Sequence, residues 1–299
     1  MTTIAQGYGN QAYIGSLLFP RVPVPARGGQ IIEFNRDSYR LYATKRSPGG
    51  RVARMQFGYA GKPFALLDDS LECPLPRGIL QDATVTPGID LGQRAVASTM
   101  KNLLQSLEID QALLATTAAN YLAGNKVTLA GATKWSATTG TPLVDVDTGR
   151  EAIRQSTGNY PNTLVLSPLA FNACKNNPNV VARFQYNGVA GTDASQITTA
   201  MLAGLFNVDR VVVGKGVYFN DANVGTDIWG NNVVLAYSVL GNTMLEEPSY
   251  GYTYTLEGNP LVEEPYWEPQ TKSWVYGVTF ERAPVLSGIS AGYLIANPA

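Results

Sequence analysis

Catalysis near neutral pH most often starts from histidine, and this 299-residue chain has none. Ser-His-Asp and Cys-His nucleophile arrangements and His-ligated metal sites are thereby excluded. Carboxylate, Lys, Tyr and Cys chemistry remain. Two carboxylate pairs stand out, Glu246-Glu247 and Glu263-Glu264. Glycoside hydrolysis needs two carboxyl groups about 5–10 Å apart across a substrate. Adjacent residues of a strand point to opposite faces, so neither pair makes such a site by itself. The two cysteines, Cys73 and Cys174, form no CxxC pair and read as free thiols. Gly7-Tyr8-Gly9-Asn10 and Gly214-Lys215-Gly216 lack the glycine spacing of a phosphate loop. Tyr250, Tyr252, Tyr254, Tyr266, Trp267, Trp274 and Tyr276 have the composition of a sugar-binding platform, although strand cores and protein interfaces use the same residues more often. These residue types argue against an enzyme, and no cofactor or metal is expected.

Charge carries more information than any of these motifs. Charged residues make up 15% of the chain, against roughly 25% in an ordinary soluble domain. Interface cores are depleted in charge, so a subunit that buries itself against its own copies fits this composition. The charges are also segregated. Residues 27–62 hold eight basic residues, Arg27, Arg36, Arg40, Lys45, Arg46, Arg51, Arg54 and Lys62, against Glu33 and Asp37. Residues 216–271 hold no Lys or Arg and eight acids, among them Glu246, Glu247, Glu263 and Glu264. Complementary patches on one chain fix orientation and register between copies, although each exposed pair contributes only about 0–1 kcal/mol. Inter-subunit contact is therefore expected between Arg36, Arg40, Arg46, Arg51 and Arg54 and the acids Glu246, Glu247, Glu263 and Glu264. Net charge is −1, so no dedicated reader of nucleic acid is indicated. Met1 to Gln6 lacks a basic region followed by an apolar run, and no apolar stretch is long enough to span a bilayer.

The elements that must present these charges follow from periodicity and turn chemistry. Residues 1–29 read as an extended arm, with Pro20, Pro23 and Pro25 forbidding a helix. Its apolar residues Ile14, Leu17, Leu18 and Phe19 need a partner to cover them. Residues 30–75 read as a long two-stranded excursion that turns at Ser47-Pro48-Gly49-Gly50 and has no core of its own. A helix is predicted over 90–121, capped by Asp90, with Val96, Met100, Leu103, Leu104 and Leu107 at helical spacing. An α/β region follows: a helix over 147–155, a strand over 163–166, a helix opened by Ser167-Pro168, a helix over 195–206 and a strand around Val211. Strands are predicted over 233–239, 250–256 and 274–280, and the apolar tail 284–295 should tuck into the fold.

This order of elements resembles the major capsid proteins of tailed bacteriophages, which share the α+β Hong Kong 97 type fold with encapsulins. Thr163-Leu164-Val165-Leu166-Ser167-Pro168, with Asn177-Pro178 and Val180 after it, is similar to the strand, cap and helix entry of that family's axial domain. Val208 to Gly214 followed by Ile228 to Tyr237 is similar to its later strand pair. The resemblance implies an N-terminal arm at 1–29, an E-loop at 30–75, a peripheral domain at 76–145 around a spine helix at 90–121, an axial domain at 146–240, and a β segment at 241–299 that returns to the peripheral domain. It implies a structural subunit whose hexamers and pentamers form an icosahedral head around double-stranded DNA. The expected partners are further copies, a separate scaffolding protein, a portal, a decoration protein, and packaged DNA touched without sequence specificity. The expected location is the virion, assembled in the host cytoplasm. Some family members cross-link Lys to Asn; Lys45 and Lys62 lie on the hairpin, but no Asn matches by motif. An encapsulin-like compartment and a β-rich glycan-binding or hydrolytic protein stand as alternatives.

Overall fold

The structure, a computed structural model, describes residues 13–33, 44–46, 49, 52, 60–84, 90–186, 196–239 and 249–299. In chain order its elements are a helical turn α1 (Gly15–Leu18), strands β1 (Arg21–Val24), β2 (Gly28–Glu33), β3 (Ala60–Ala65) and β4 (Leu67–Pro76), and helices α2 (Arg77–Thr84) and α3 (Leu91–Thr116). Next come β5 (Lys126–Thr128), α4 (Pro142–Thr157), β6 (Thr163–Leu166), α5 (Pro168–Asn176), α6 (Pro178–Tyr186), α7 (Thr199–Phe206), β7 (Arg210–Val213), β8 (Val217–Phe219), β9 (Gly225–Asp227) and β10 (Asn232–Ala236). The chain closes with β11 (Gly251–Leu256), β12 (Leu261–Val262), β13 (Tyr266–Glu268), β14 (Ser273–Leu286) and β15 (Gly292–Ala296).

Two sheets organise these elements. A five-stranded sheet runs β5-β15-β10-β6-β7, and a six-stranded sheet is built on β14, which pairs with β4 along one edge and with β11, β12 and β13 along the other. The apolar tail does tuck in: β15 lies between β10 and β5. In the five-stranded sheet, side chains alternate between two buried faces. Leu164, Leu166, Val233, Leu235 and Ile295 enter one core with α4, α5 and α7. Val165, Val234, Ala236 and Leu294 enter a second core against the C-terminal part of α3. Packing on both faces is why β6 reads as an unbroken apolar run rather than an alternation.

Helix α3 joins the two sheets. Asp90 caps it by accepting the Gln93 N–H at 3.1 Å. At about 1.5 Å per residue its 26 residues span roughly 39 Å. Val96, Met100, Leu103, Leu104 and Leu107 pack on Val278 and Phe280 of β14, whereas Ala112 and Ala115 belong to the second core. The helix ends at Thr116 and not at 121. Thr116 and Thr117 bond their hydroxyls back to the Ala112 and Leu113 carbonyls. Thr117 is extended, and Tyr121 turns inward to bond the Ala115 carbonyl and the Tyr250 hydroxyl, both at 2.6 Å.

Other boundaries also moved for identifiable reasons. Helix α4 starts five residues before the expected Asp147 because Pro142 sits in its first turn, where its fixed φ fits. It stops at Gly158, which takes a φ of 77°. Ser167 caps α5 as expected, accepting the Ala170 N–H at 3.2 Å. Helix α7 begins at Thr199, with Thr198 as its cap. The largest difference concerns the apolar residues of the arm. Ile14, Leu18 and Phe19 are buried inside the same subunit, with Ala112, Trp229 and Tyr250. Strand β1 then pairs in parallel with β11. Their cover is intramolecular and was not visible from local sequence, because β11 lies more than 200 residues away.

Candidate assembly surface

The two ends of the predicted charge pairing sit on different elements. The basic stretch is flanked by β2 and β3, paired antiparallel from Gly28↔Ala65 to Glu33↔Ala60. Lys45 and Arg46 are exposed; Arg36, Arg40, Arg51 and Arg54 lie outside the described residues, as do Glu246 and Glu247. Just before β2, Arg27 is already committed within the chain. Its guanidinium grips Glu281 with two contacts, at 2.8 and 2.7 Å, and Glu281 is nearly buried.

The acidic end lies at the far end of the six-stranded sheet. Glu263 and Glu264 are exposed. Glu263 accepts the Thr279 hydroxyl at 2.6 Å, and Glu268 accepts that of Thr271 at 2.6 Å. Glu72, on β4, accepts the Tyr266 hydroxyl through both oxygens at 3.3 and 3.2 Å. The Tyr266 phenol is held above its ordinary value, first by desolvation, then by the charges of Glu72, Glu268 and Glu263. Glu72 is thus a member of this acidic face that sequence position alone did not assign, since only sheet pairing brings it beside Glu263.

The aromatic group does not form one platform. Tyr250, Tyr252 and Tyr254 are buried in the cores, whereas Tyr266, Trp267 and Trp274 are exposed. Trp267 and Trp274 face each other in register across β13 and β14, edge to face at 5.7 Å. Among the described residues no three Cys, Asp or Glu side chains gather as a metal site, and no helix is long and apolar enough to cross a membrane. Cys174 is buried, which pushes its thiol up to about 12 and leaves it unreactive.

Two buried charges do work that the sequence reading missed. Glu108 sits on α3 between the part facing the six-stranded sheet and the part facing the five-stranded one. Its carboxylate accepts the N–H groups of Ile14 at 3.0 Å and Gly15 at 2.8 Å, so it caps α1, and the indole N–H of Trp229 at 2.7 Å. Burial raises its pKa, and these three donors oppose the shift. Gln111, one turn on, donates to the Thr253 hydroxyl at 2.8 Å, and Thr253 donates to the Phe19 carbonyl at 3.1 Å. Arg282 of β14 is also buried. It donates to Asp69 at 2.8 Å and to the Leu103 carbonyl, and its guanidinium lies 5.2 Å from the Phe280 ring centre. A signal for Glu108 was present: it lies one residue after Leu107 and four after Leu104, on the helix's buried side.

The family model described as phage major capsid protein E matches residues 99–277, more than half of the chain. The chain belongs to this family of phage major capsid proteins. A relative from Burkholderia phage BcepMu, named major capsid protein, is 34% identical over 302 residues, covering 99% of this chain and 95% of its own. The crystal structure of a phage-related protein from Bordetella bronchiseptica RB50 matches with a TM-score of 0.83 at 40% identity, covering 99% of this chain and 96% of that one. The capsid of cyanophage P-SCSP1u matches with a TM-score of 0.62 at 11% identity, covering 97% and 89%. That likeness is one of fold: the capsid protein described here has the Hong Kong 97 type architecture. The capsid family is a structural one.

Proposed function

We propose that copies of this capsid protein associate into hexamers and pentamers and tile the icosahedral head that encloses the double-stranded DNA of a tailed phage. Membership of the capsid family carries this reading, because the match spans most of helix α3 and four of the five strands of the five-stranded sheet. The surface chemistry supports it. Large apolar side chains stay exposed in the lone subunit, among them Leu67, Leu71, Trp267, Trp274 and Phe219, and charged residues are few. The exposed Arg46, together with Arg36, Arg40, Arg51 and Arg54, meets the acidic face of a neighbour around Glu263 and Glu264, with Glu246 and Glu247 on the same stretch. Residues 1–29, 30–75, 76–145, 146–240 and 241–299 then act as arm, hairpin, peripheral domain, axial domain and returning β segment. The other expected partners are a separate scaffolding protein, a portal, a decoration protein and DNA held without sequence readout. The subunit assembles in the host cytoplasm and ends in the virion.

Electron microscopy and sedimentation of the purified protein test this. Closed shells or hexameric and pentameric capsomers are expected. A sharp monomer at high micromolar concentration, unchanged by salt or crowding, would overturn the reading. DNA in particles recovered from infected cells separates a phage head from an encapsulin-like compartment, whose contents are protein.

A further inference from the structure

The ribbon of β8 and β9 is an apolar knob whose larger side chains stay exposed among the described residues. Phe219 is 72% exposed, Val217 46% and Val224 56%. Phe219 and Val217 project on the same side, on either side of Gly225, where a side chain would meet both. The tip is held in shape from within. The Asn220 carboxamide accepts the N–H groups of Ala222 and Val224, both at 3.0 Å, and Asn220 N–H bonds the Val224 carbonyl at 3.2 Å. The base is pinned by Ile228 N–H to the Gly216 carbonyl at 3.0 Å. A pre-shaped apolar tip loses little freedom on docking.

A matching groove lies on the same chain. It has a volume of about 330 Å³ and is lined by Ile14, Phe171, Val211, Val213 and Lys215, among others. That is the lower end of the range for small-molecule pockets, about 300–1,000 Å³, and leaves room for an aromatic ring with its neighbours. It runs along β7, the outer strand of the five-stranded sheet. The polar groups match as well. The knob carries Asp221 at its turn and no cation, and the groove carries the exposed Lys215.

We propose that the knob of one copy docks into the groove of the next, with Phe219 in the cavity and Asp221 beside Lys215. Knob and groove are different surfaces, so the contact is head-to-tail, and a head-to-tail contact with the right rotation closes a ring. The proposal rests on the shell-forming reading and names one contact within it.

The test uses the full chain. Phe219→Asp is expected to cut shell or capsomer yield at least tenfold by sedimentation, with an unchanged circular dichroism spectrum, while Phe219→Leu keeps most of it. Asp221→Lys should lower the yield, and adding Lys215→Asp should restore it. In a Cys73→Ser background, a chain carrying both Phe219→Cys and Val213→Cys should oxidise to a ladder of covalent oligomers. An equal mixture of the two single variants should stop at dimers. Wild-type yield from Phe219→Asp, or disulfides formed only within one chain, would overturn the contact. If the wild type makes no particle yet the ladder forms, the contact stands and the shell reading fails.

Discussion

The two sheets of this subunit are held in opposite ways. In the five-stranded sheet, β6 and β10 are apolar on both faces and almost wholly buried. In the six-stranded sheet, β4 is half acid and proline and stays largely exposed, and β14 carries Trp274 outward beside buried Val275. One sheet is a finished interior. The other is covered by α3 over the stretch from Val96 to Leu107 and by Val22, Phe64 and Leu66 around Tyr252 and Tyr254, while β4 and β13 stay largely exposed. Stability is therefore concentrated in the first, and surface left for other molecules in the second.

Substitutions can break this contrast. The largest effect of trimming an apolar side chain is expected from Leu164→Ala in β6, where a fully buried side chain leaves a cavity. A loss of about 2–5 kcal/mol is expected, read as a fall in the denaturation midpoint. Leu71→Ala in β4, whose side chain is 40% exposed, should cost under about 1 kcal/mol by the same measurement. Equal losses would show that the six-stranded sheet is as closed as the five-stranded one.

Glu108→Ala probes the seam between the sheets. It strands the N–H groups of Ile14 and Gly15 and the Trp229 indole, and unpaired buried donors cost about 1–3 kcal/mol each. Because α1 depends on this cap, proteolysis should reach residues 13–24 sooner than in the wild type. No change in cleavage there would mean that Phe19 and Leu18 hold the segment without the carboxylate.

A smaller effect should appear with pH. Burial holds the Glu108 carboxyl above the ordinary carboxylate range in the folded state. The folded chain therefore binds this proton more readily than the unfolded one, and stability from this group rises as pH falls through the folded value. The gain levels off below the unfolded value. Wild-type stability measured against Glu108→Gln should accordingly improve between neutral pH and about pH 4. A gap that narrows over that interval would contradict the sign.

The smallest stability change is expected at the acidic face. Glu263→Gln removes an exposed charge and should shift unfolding by less than about 0.5 kcal/mol. Reversing Arg51 and Arg54 to Glu should likewise leave folding intact but block assembly, and reversing Glu263 and Glu264 to Lys should partly restore it. Normal assembly of the arginine variant would remove charge complementarity from the account of the shell.

What the sequence made legible was local. The Asp90 and Ser167 caps, the Val96 to Leu107 stripe and the buried run Thr163–Leu166 each carry their signal within a few residues, and the capsid resemblance rested on their order. Pairings across the chain were not legible. Nothing near Ile14 or Phe19 names β11 or α3 as their cover, and nothing near Leu75 names Trp274 as its neighbour. Glu72 joined the acidic face only through such a pairing. Arg282 looks like a surface charge by type, and its burial became visible only when Asp69, Leu103 and β14 met around it; Glu108 shared the helix's apolar side, but its partners Ile14, Gly15 and Trp229 did not show. The charge segregation was legible as composition, while its geometry depends on where the basic stretch and the sheet end point.

The pairing of β4 with β14 also sets a timetable. Leu67 meets Arg282 and Pro76 meets Ser273, so the strands that complete this sheet are separated by about 200 residues of chain. At typical synthesis rates of about 5–20 residues per second, the early strand waits roughly 10–40 s for its partner. During that wait its edges are open to any other strand, including those of sister chains growing on the same message. Asp68, Asp69, Glu72, Pro74 and Pro76 make it a poor template for such pairing. The acids and prolines of β4 thus guard a newborn chain against joining its siblings before it has the shape in which joining is its purpose.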